Sequence, residues 1–325
     1  MNRAIPFLRR SMLAALAALA CTTVSAQLGG GRPIRLVVPF GPGGVADLTA
    51  RVVAQKMTES TGQSIVVDNK PGAGGIVASD TVAKAPPDGL TLLLMSNGNA
   101  VTAGMFKSLP FDPLKSFAPV SMLGYFDMAV ISSPKSRFKT LKDLVAYAKA
   151  HPGKVNIATI NTGSTQNLAA ELFKRSLGID VQIVPFNGSA AVITAIQGEQ
   201  VDAGVEILAP VLGQINGSTL LALAVMGDKR APALPNVPTV AESGAAGFNV
   251  ASWNAIAAPA GTPADAIARL NKEVNAVLSS PEVKERLAKL GVQGKGSTPA
   301  QQWDFYTKEI KRWSGVIQQA GIEKQ

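Results

Sequence analysis

The sequence predicts an α/β fold built as two doubly wound lobes with a ligand cleft between them. Three observations predict it. Apolar strand-like runs alternate with helical patterns along nearly the whole chain. The strands, such as "IRLVVPF" and "LTLLLMS", are continuously apolar, as sheets covered on both faces require. A strand, a Gly/Ser/Thr turn and a helix occur at 37–53 and again at 156–173, one set for each lobe. Ligands of doubly wound sheets bind beyond the carboxyl ends of the strands, where such turns lie.

Taken in order, "IRLVVPF" precedes a helix over about 45–59, and "SIVVDN" precedes one through "GIVASDTVAKA". "LTLLLMS" follows, then a proline-rich loop, then the strand "MAVISS" and the helix "LKDLVAYAKA". "KVNIATI" leads to "QNLAAELFKRSLG", "VQIVPF" to "AAVITAIQGE", and "VDAGVEI" to "APVLGQI". The tail differs: "ADAIARLNKEVNAVLSS", "PEVKERLAKLG" and "PAQQWDFYTKEIKRWSGVIQQAG" read as three consecutive helices. In the last, Trp303, Tyr306, Ile310, Trp313 and Ile317 recur at helical spacing and form one apolar stripe that is expected to pack on the core.

The chain opens with a different kind of segment. "MNRAIPFLRRSMLAALAALACTTVSAQ" has Arg3, Arg9 and Arg10, an apolar run at 12–20, and the small-residue end Val24-Ser25-Ala26. This pattern predicts a signal peptide over residues 1–26, cleaved after Ala26, with export to the periplasm. The run falls short of the roughly 20 apolar residues a membrane span needs. Cys21, the single cysteine, lies inside this segment, and Ala18 stands where a lipoprotein signal usually has leucine. Cleavage at Ala26 leaves no cysteine, so stability must come from core burial, which about 300 residues can supply.

Charge and composition narrow the function. The net charge of +9 becomes +6 without the three leading arginines, and the basic residues are scattered rather than clustered. Nucleic-acid binding fits this poorly, whereas a mildly positive surface can steer small anions toward a cleft. His151, the single histidine, sits in "KAHPGKVN", a helix-end turn. Without a second histidine, a G-x-S-x-G elbow or a metal-ligand cluster, no catalytic residue, metal or cofactor is expected. "GKGST" departs from a phosphate-binding loop because Gly296 follows Lys295, and "GPGGVA" and "GAGGIVA" lack the third glycine of the dinucleotide fingerprint.

The turns themselves suit an anion. In "PFGPGGVAD", Gly43 and Gly44 allow close backbone approach, and the following helix offers unpaired N–H groups and a positive dipole end. Such a terminus holds a carboxylate or phosphate without a charged side chain. Asp47 either fixes the loop through backbone N–H groups, touches a ligand donor, or is an ordinary helix-start acid. "TINTGSTQN" supplies Thr162, Gly163, Ser164 and Thr165 in the same arrangement; Ser164 alone would read as a plain cap.

At "PIRLVVPFGPGGVADLTARVVAQKM", "VVDNKPGAGGIVASDTVAKAPPDGLTLL", "GSTQNLAAELF", "VPFNGSAAVITAIQGEQVDAGVE" and "LPNVPTVAESG" the chain resembles the Bug-type receptors. These are the periplasmic substrate-binding proteins of the tripartite tricarboxylate transporter family, and the resemblance covers essentially the whole mature chain. It implies a periplasmic-binding-protein-like, flytrap fold that closes on a small organic anion. It also implies that two opposed turns hold one carboxylate by backbone amides and hydroxyls. Carried over by position, the ligand-binding residues are Phe40, Gly43, Gly44, Val45, Ala46 and Asp47 in one lobe. In the other they are Thr162, Gly163, Ser164, Asn167, Pro185, Phe186 and Gly188, with Ser96 and Asn97 as weaker candidates.

Two departures bear on ligand identity. Asn167 stands where the family commonly has histidine, and Glu206 where it usually has aspartate. The extra methylene reshapes the distal pocket, and a carboxylate there favours a ligand with a donor or positive group. The resemblance places the first lobe at 28–125 plus 251–325 and the second at 126–250, with hinges near 124–127 and 247–252. The expected function is a monomeric receptor that captures a mono- or dicarboxylate and presents it to a membrane permease. A secreted enzyme acting on a small carboxylate and a signalling receptor are the alternatives.

Overall fold

A computed structural model of the protein describes residues 28–325. The segment read as a signal peptide, Cys21 included, lies outside the described residues. The elements run β1 (Ile34–Val38), α1 (Val45–Thr61), β2 (Ile65–Asn69), α2 (Ile76–Ala83), β3 (Thr91–Ser96) and α3 (Asn97–Met105). Next come β4 (Phe117–Ser132), α4 (Leu141–Ala150), β5 (Asn156–Ile160), α5 (Thr165–Ser176), β6 (Gln182–Phe186) and α6 (Ser189–Gln197). The chain continues through β7 (Ala203–Ile207), α7 (Leu208–Asn216), β8 (Leu221–Val225) and β9 (Ala251–Pro259). It ends with α8 (Ala264–Ser279), α9 (Pro281–Lys289), β10 (Val292–Gly294) and α10 (Pro299–Gln319).

Two parallel strand sets form the lobes. β1 pairs in parallel with β2 and β3, and β5 pairs in parallel with β6 and β7. The strand order β2-β1-β3-β9-β4-β7-β5-β6 joins them through β9 and β4, which run antiparallel to their neighbours. Parallel sheets alone therefore do not describe the molecule. β4 pairs with β9 over 117–127 and with β7 and β8 over 128–132, so its partners change between Asp127 and Met128.

The first half of β4 reads as loop in the sequence because Pro119 and Gly124 interrupt it. Both lie at register shifts, where a residue without an N–H or without a side chain is tolerated. At Gly124 a Cβ would lie 2.6 Å from the Gln293 carbonyl oxygen, and β10 pairs there. β9 escapes a period-two reading because every residue after Ala251 is buried.

Local signals fix the ends of several helices. Thr140 with Asp143 and Thr298 with Gln301 form capping boxes, Ser280 caps α9, and α9 and α10 each have proline in the first turn. One apolar core fills the lobe of β1 and β3 under α1, α8 and α9. A second lies under α6 and α7. A third crosses between the lobes, joining Val101 and Met105 of α3, Leu168 and Phe173 of α5, and Trp313 and Ile317 of α10. The aromatic stripe of α10 thus packs inward: Tyr306, Trp313 and Ile317 are buried, Trp303 and Ile310 partly so. No helix among the described residues is long and apolar enough to cross a membrane.

Candidate functional site

The first turn leaves β1 through Pro39 and Phe40 and enters α1 at Gly44. Gly43 has φ +88°, a left-handed conformation that strongly favours glycine. Its N–H donates to Asp47 Oδ2 at 2.9 Å. Asp47 is buried and also accepts from Arg51 Nε at 3.0 Å and Asn69 Nδ2 at 2.8 Å. Asn69 reaches back to the Phe40 carbonyl at 2.9 Å. Burial pushes the Asp47 carboxyl up, but the hydrogen bonds from Arg51, Gly43 and Asn69 outweigh it and hold the pKa below its ordinary value. Among the readings open for Asp47, this geometry is that of a loop-fixing acid.

With Gly43 occupied, the donors left at this turn lie one step on. Gly44 is the N-cap of α1, with φ −78°, and no side chain caps the helix. The amides of Val45 and Ala46 have no hydrogen-bond partner among the described residues. A Cβ built on Gly44 meets nothing within 4 Å. The turn is exposed from Phe40 to Gly44, Val45 is half-buried, and Ala46 is buried behind it.

The second turn repeats the construction. Gly163 has φ +77°, and its N–H donates to Asn167 Oδ1 at 3.1 Å, again four residues ahead. Asn167 Nδ2 donates to Thr159 Oγ1 at 3.2 Å. Ser164 Oγ accepts from the Asn167 amide at 3.1 Å and donates to the Ile160 carbonyl at 3.1 Å. Its hydroxyl is therefore engaged in capping, while the amides of Thr165 and Gln166 have no partner among the described residues. Thr162 is exposed. The two turns differ in charge: a carboxylate matched by Arg51 ties the first, a neutral carboxamide the second.

Ser96 and Asn97 occupy buried positions. Ser96 caps α3 in a capping box with Asn99. Asn97 Oδ1 accepts from Trp313 Nε1 at 2.7 Å and Trp253 Nε1 at 3.1 Å. Its Nδ2 donates to Thr165 Oγ1 at 3.1 Å, a bond between α3 of one lobe and the second turn of the other. Met105 packs on Gly163 at the same junction, where a Cβ would overlap its side chain. Glu309 Oε2 accepts from both indoles, at 2.9 Å from Trp313 and 3.4 Å from Trp253.

A third turn follows β6. Pro185 is exposed, Phe186 and Gly188 are half-buried, and Gly188 at φ +94° is the uncapped N-cap of α6. Glu206, on β7, is fully buried. Its Oε2 accepts from Ser189 Oγ at 3.0 Å, the Ile207 amide at 3.3 Å and Gln166 Nε2 at 3.4 Å. Burial pushes its pKa up, against the lowering effect of those three donors.

The structure thus places Gly44, Val45 and Ala46 on one open helix N-terminus and Thr162 to Asn167 on another, with Ser96 and Asn97 behind them. Sequence reasoning misses Arg51, one helical turn after Asp47, and Asn69 and Trp253, whose partners are distant in the chain. A signal for the shared construction was present: each turn has glycine followed four residues later by Asp or Asn. The segment "GAGG" is a packing element, since a Cβ on Gly75 would lie 3.2 Å from Pro39.

Comparison with known proteins identifies the family and the fold. The family model described as the tripartite tricarboxylate transporter family receptor matches residues 49–322. Protein BugT of Bordetella pertussis is 38% identical over 302 residues, covering 92% of this chain and 93% of BugT. The structure of Rhodopseudomonas palustris MatC with bound malate is 31% identical, with a TM-score of 0.73, covering 88% of this chain and 99% of that one. R. palustris Rpa4515 with adipate is 33% identical, with a TM-score of 0.79, covering 90% and 98%. The fold is that of the periplasmic binding proteins.

Proposed function

The chain belongs to the tripartite tricarboxylate transporter family of receptors, and from that premise we propose that it captures a small organic carboxylate between its lobes. One observation carries the reading: two glycine turns, one per lobe, are each tied off at the glycine amide and leave the next helix amides open. Helix N-termini of this kind hold an anion by backbone donors and dipole. Relatives of the same fold are seen with adipate and with malate, which supports a mono- or dicarboxylate here.

On this reading the lobes comprise 28–125 plus 251–325 and 126–250. The ligand stabilises the closed form because only that form lets both turns touch it. The protein works as a monomer in the periplasm after cleavage at Ala26, and presents its closed lobes to the family's membrane permease. It binds its ligand without changing it.

Native mass spectrometry of the purified mature protein, followed by denaturing release, tests this. A stoichiometric carboxylic acid recovered unaltered is expected. A chemically converted product in the cleft would move the assignment to an enzyme.

A further inference from the structure

Glu206 holds an unused hydrogen-bond acceptor beneath the second and third turns, bonded to Gln166 of one and Ser189 of the other. The register that pairs Ala158 with Gly204 and Ile160 with Phe186 sets Ile160, Phe186 and Glu206 level across β5, β6 and β7. All three stand at the carboxyl ends of their strands, where the second and third turns begin. Residues from the first turns of α5 and α6 and the start of α7 converge on one oxygen: Gln166, Ser189 and the Ile207 amide all donate to Oε2. The other oxygen, Oε1, is enclosed and has no partner among the described residues. Beside it Ser189 follows Gly188, where a Cβ would meet nothing within 4 Å.

A carboxylate kept only to cap these helix ends would share its donors between both oxygens, because a buried acceptor without a partner is costly. Among the described residues no group of three or more His, Cys, Asp or Glu gathers to hold a metal ion, and the partner a lone carboxylate oxygen takes is a hydrogen-bond donor.

We propose that Glu206 sets ligand specificity by accepting a hydrogen bond, through Oε1, from a hydroxyl or ammonium group of the bound carboxylate. The substrate class is then a hydroxy- or amino-substituted carboxylic acid rather than a plain one. This rests on the receptor reading above. The Glu206→Gln variant makes a directional test. Its amide oxygen must face the three donors at the Oε2 position, which turns the NH2 toward the ligand. A ligand hydroxyl can rotate to accept from that NH2, whereas an ammonium group has no lone pair to offer.

Calorimetric titration of the mature protein with succinate, malate and aspartate reads the result. The wild type is expected to bind malate or aspartate about tenfold or more tighter than succinate, the effect of one good hydrogen bond to a charged group. Glu206→Gln should leave succinate within about threefold, weaken malate moderately and lose most aspartate affinity. If that variant fails to fold, Glu206→Asp retracts the oxygen by one methylene and should likewise erase the preference over succinate. Succinate bound as well as malate and aspartate, or all three shifted equally, overturns the role of Glu206 and leaves the receptor intact. Failure of the wild type to bind any of these, or any member of a wider carboxylate panel, overturns the receptor reading itself.

Discussion

Gly43 and Gly44 are adjacent and do different things. Gly43 at φ +88° makes the turn, so Gly43→Ala should destabilise the fold by about 1–2 kcal/mol in denaturant unfolding. Gly44 has an ordinary φ and open space beyond it, so Gly44→Val should keep circular dichroism and Tm close to wild type while abolishing carboxylate binding. Unchanged affinity in that variant would remove the backbone-anion argument. Asp47 adds a pH dependence. Its folded pKa lies below the ordinary 3.8, so its contribution to stability is full above that value and is lost as pH falls through the folded pKa. Unfolding free energies of wild type and Asp47→Asn should therefore differ most near neutral pH and converge in acid. The sequence named Gly43, Gly44 and Asp47 as one site. It did not say which glycine bends and which admits, because that depends on φ, on Arg51 one turn along α1 and on Asn69 arriving from β2.

At the scale of elements, the tail helix α10 is pinned to α3 and β9 of its own lobe. Trp313 is fully buried, and its indole shares Asn97 Oδ1 with Trp253 and donates to Glu309. Trp313→Ala should cost about 3–5 kcal/mol, read as a fall in denaturant midpoint. The apolar stripe of α10 was legible because it repeats with helical period. Most of the parallel strands were legible as apolar runs bounded by turns. The first half of β4 was not, since Pro119 and Gly124 imitate a loop, and buried β9 shows no alternation. Nor was the inward role of Asn97, whose partners lie on β9, α5 and α10.

At the scale of the whole molecule, β4 carries the chain from one strand set to the other, changing partners between Asp127 and Met128. Motion between the lobes must bend this strand or the segment that leads into β9. Small-angle scattering should accordingly show a smaller radius of gyration when a bound carboxylate is added to ligand-free protein, with the change absent in Gly44→Val. The family and the two-lobe fold could be read from long motifs before any coordinates. The ligand could not, because the distal pocket is assembled from turns on separate strands.

The most direct measurement is a crystal structure of the mature protein with a dicarboxylate such as malate bound. One carboxylate is expected to bridge the lobes, its oxygens about 2.7–3.2 Å from backbone nitrogens or ordered waters held by both glycine turns. A carboxylate anchored by lysine or arginine side chains, or held by one lobe alone in a closed molecule, would contradict this.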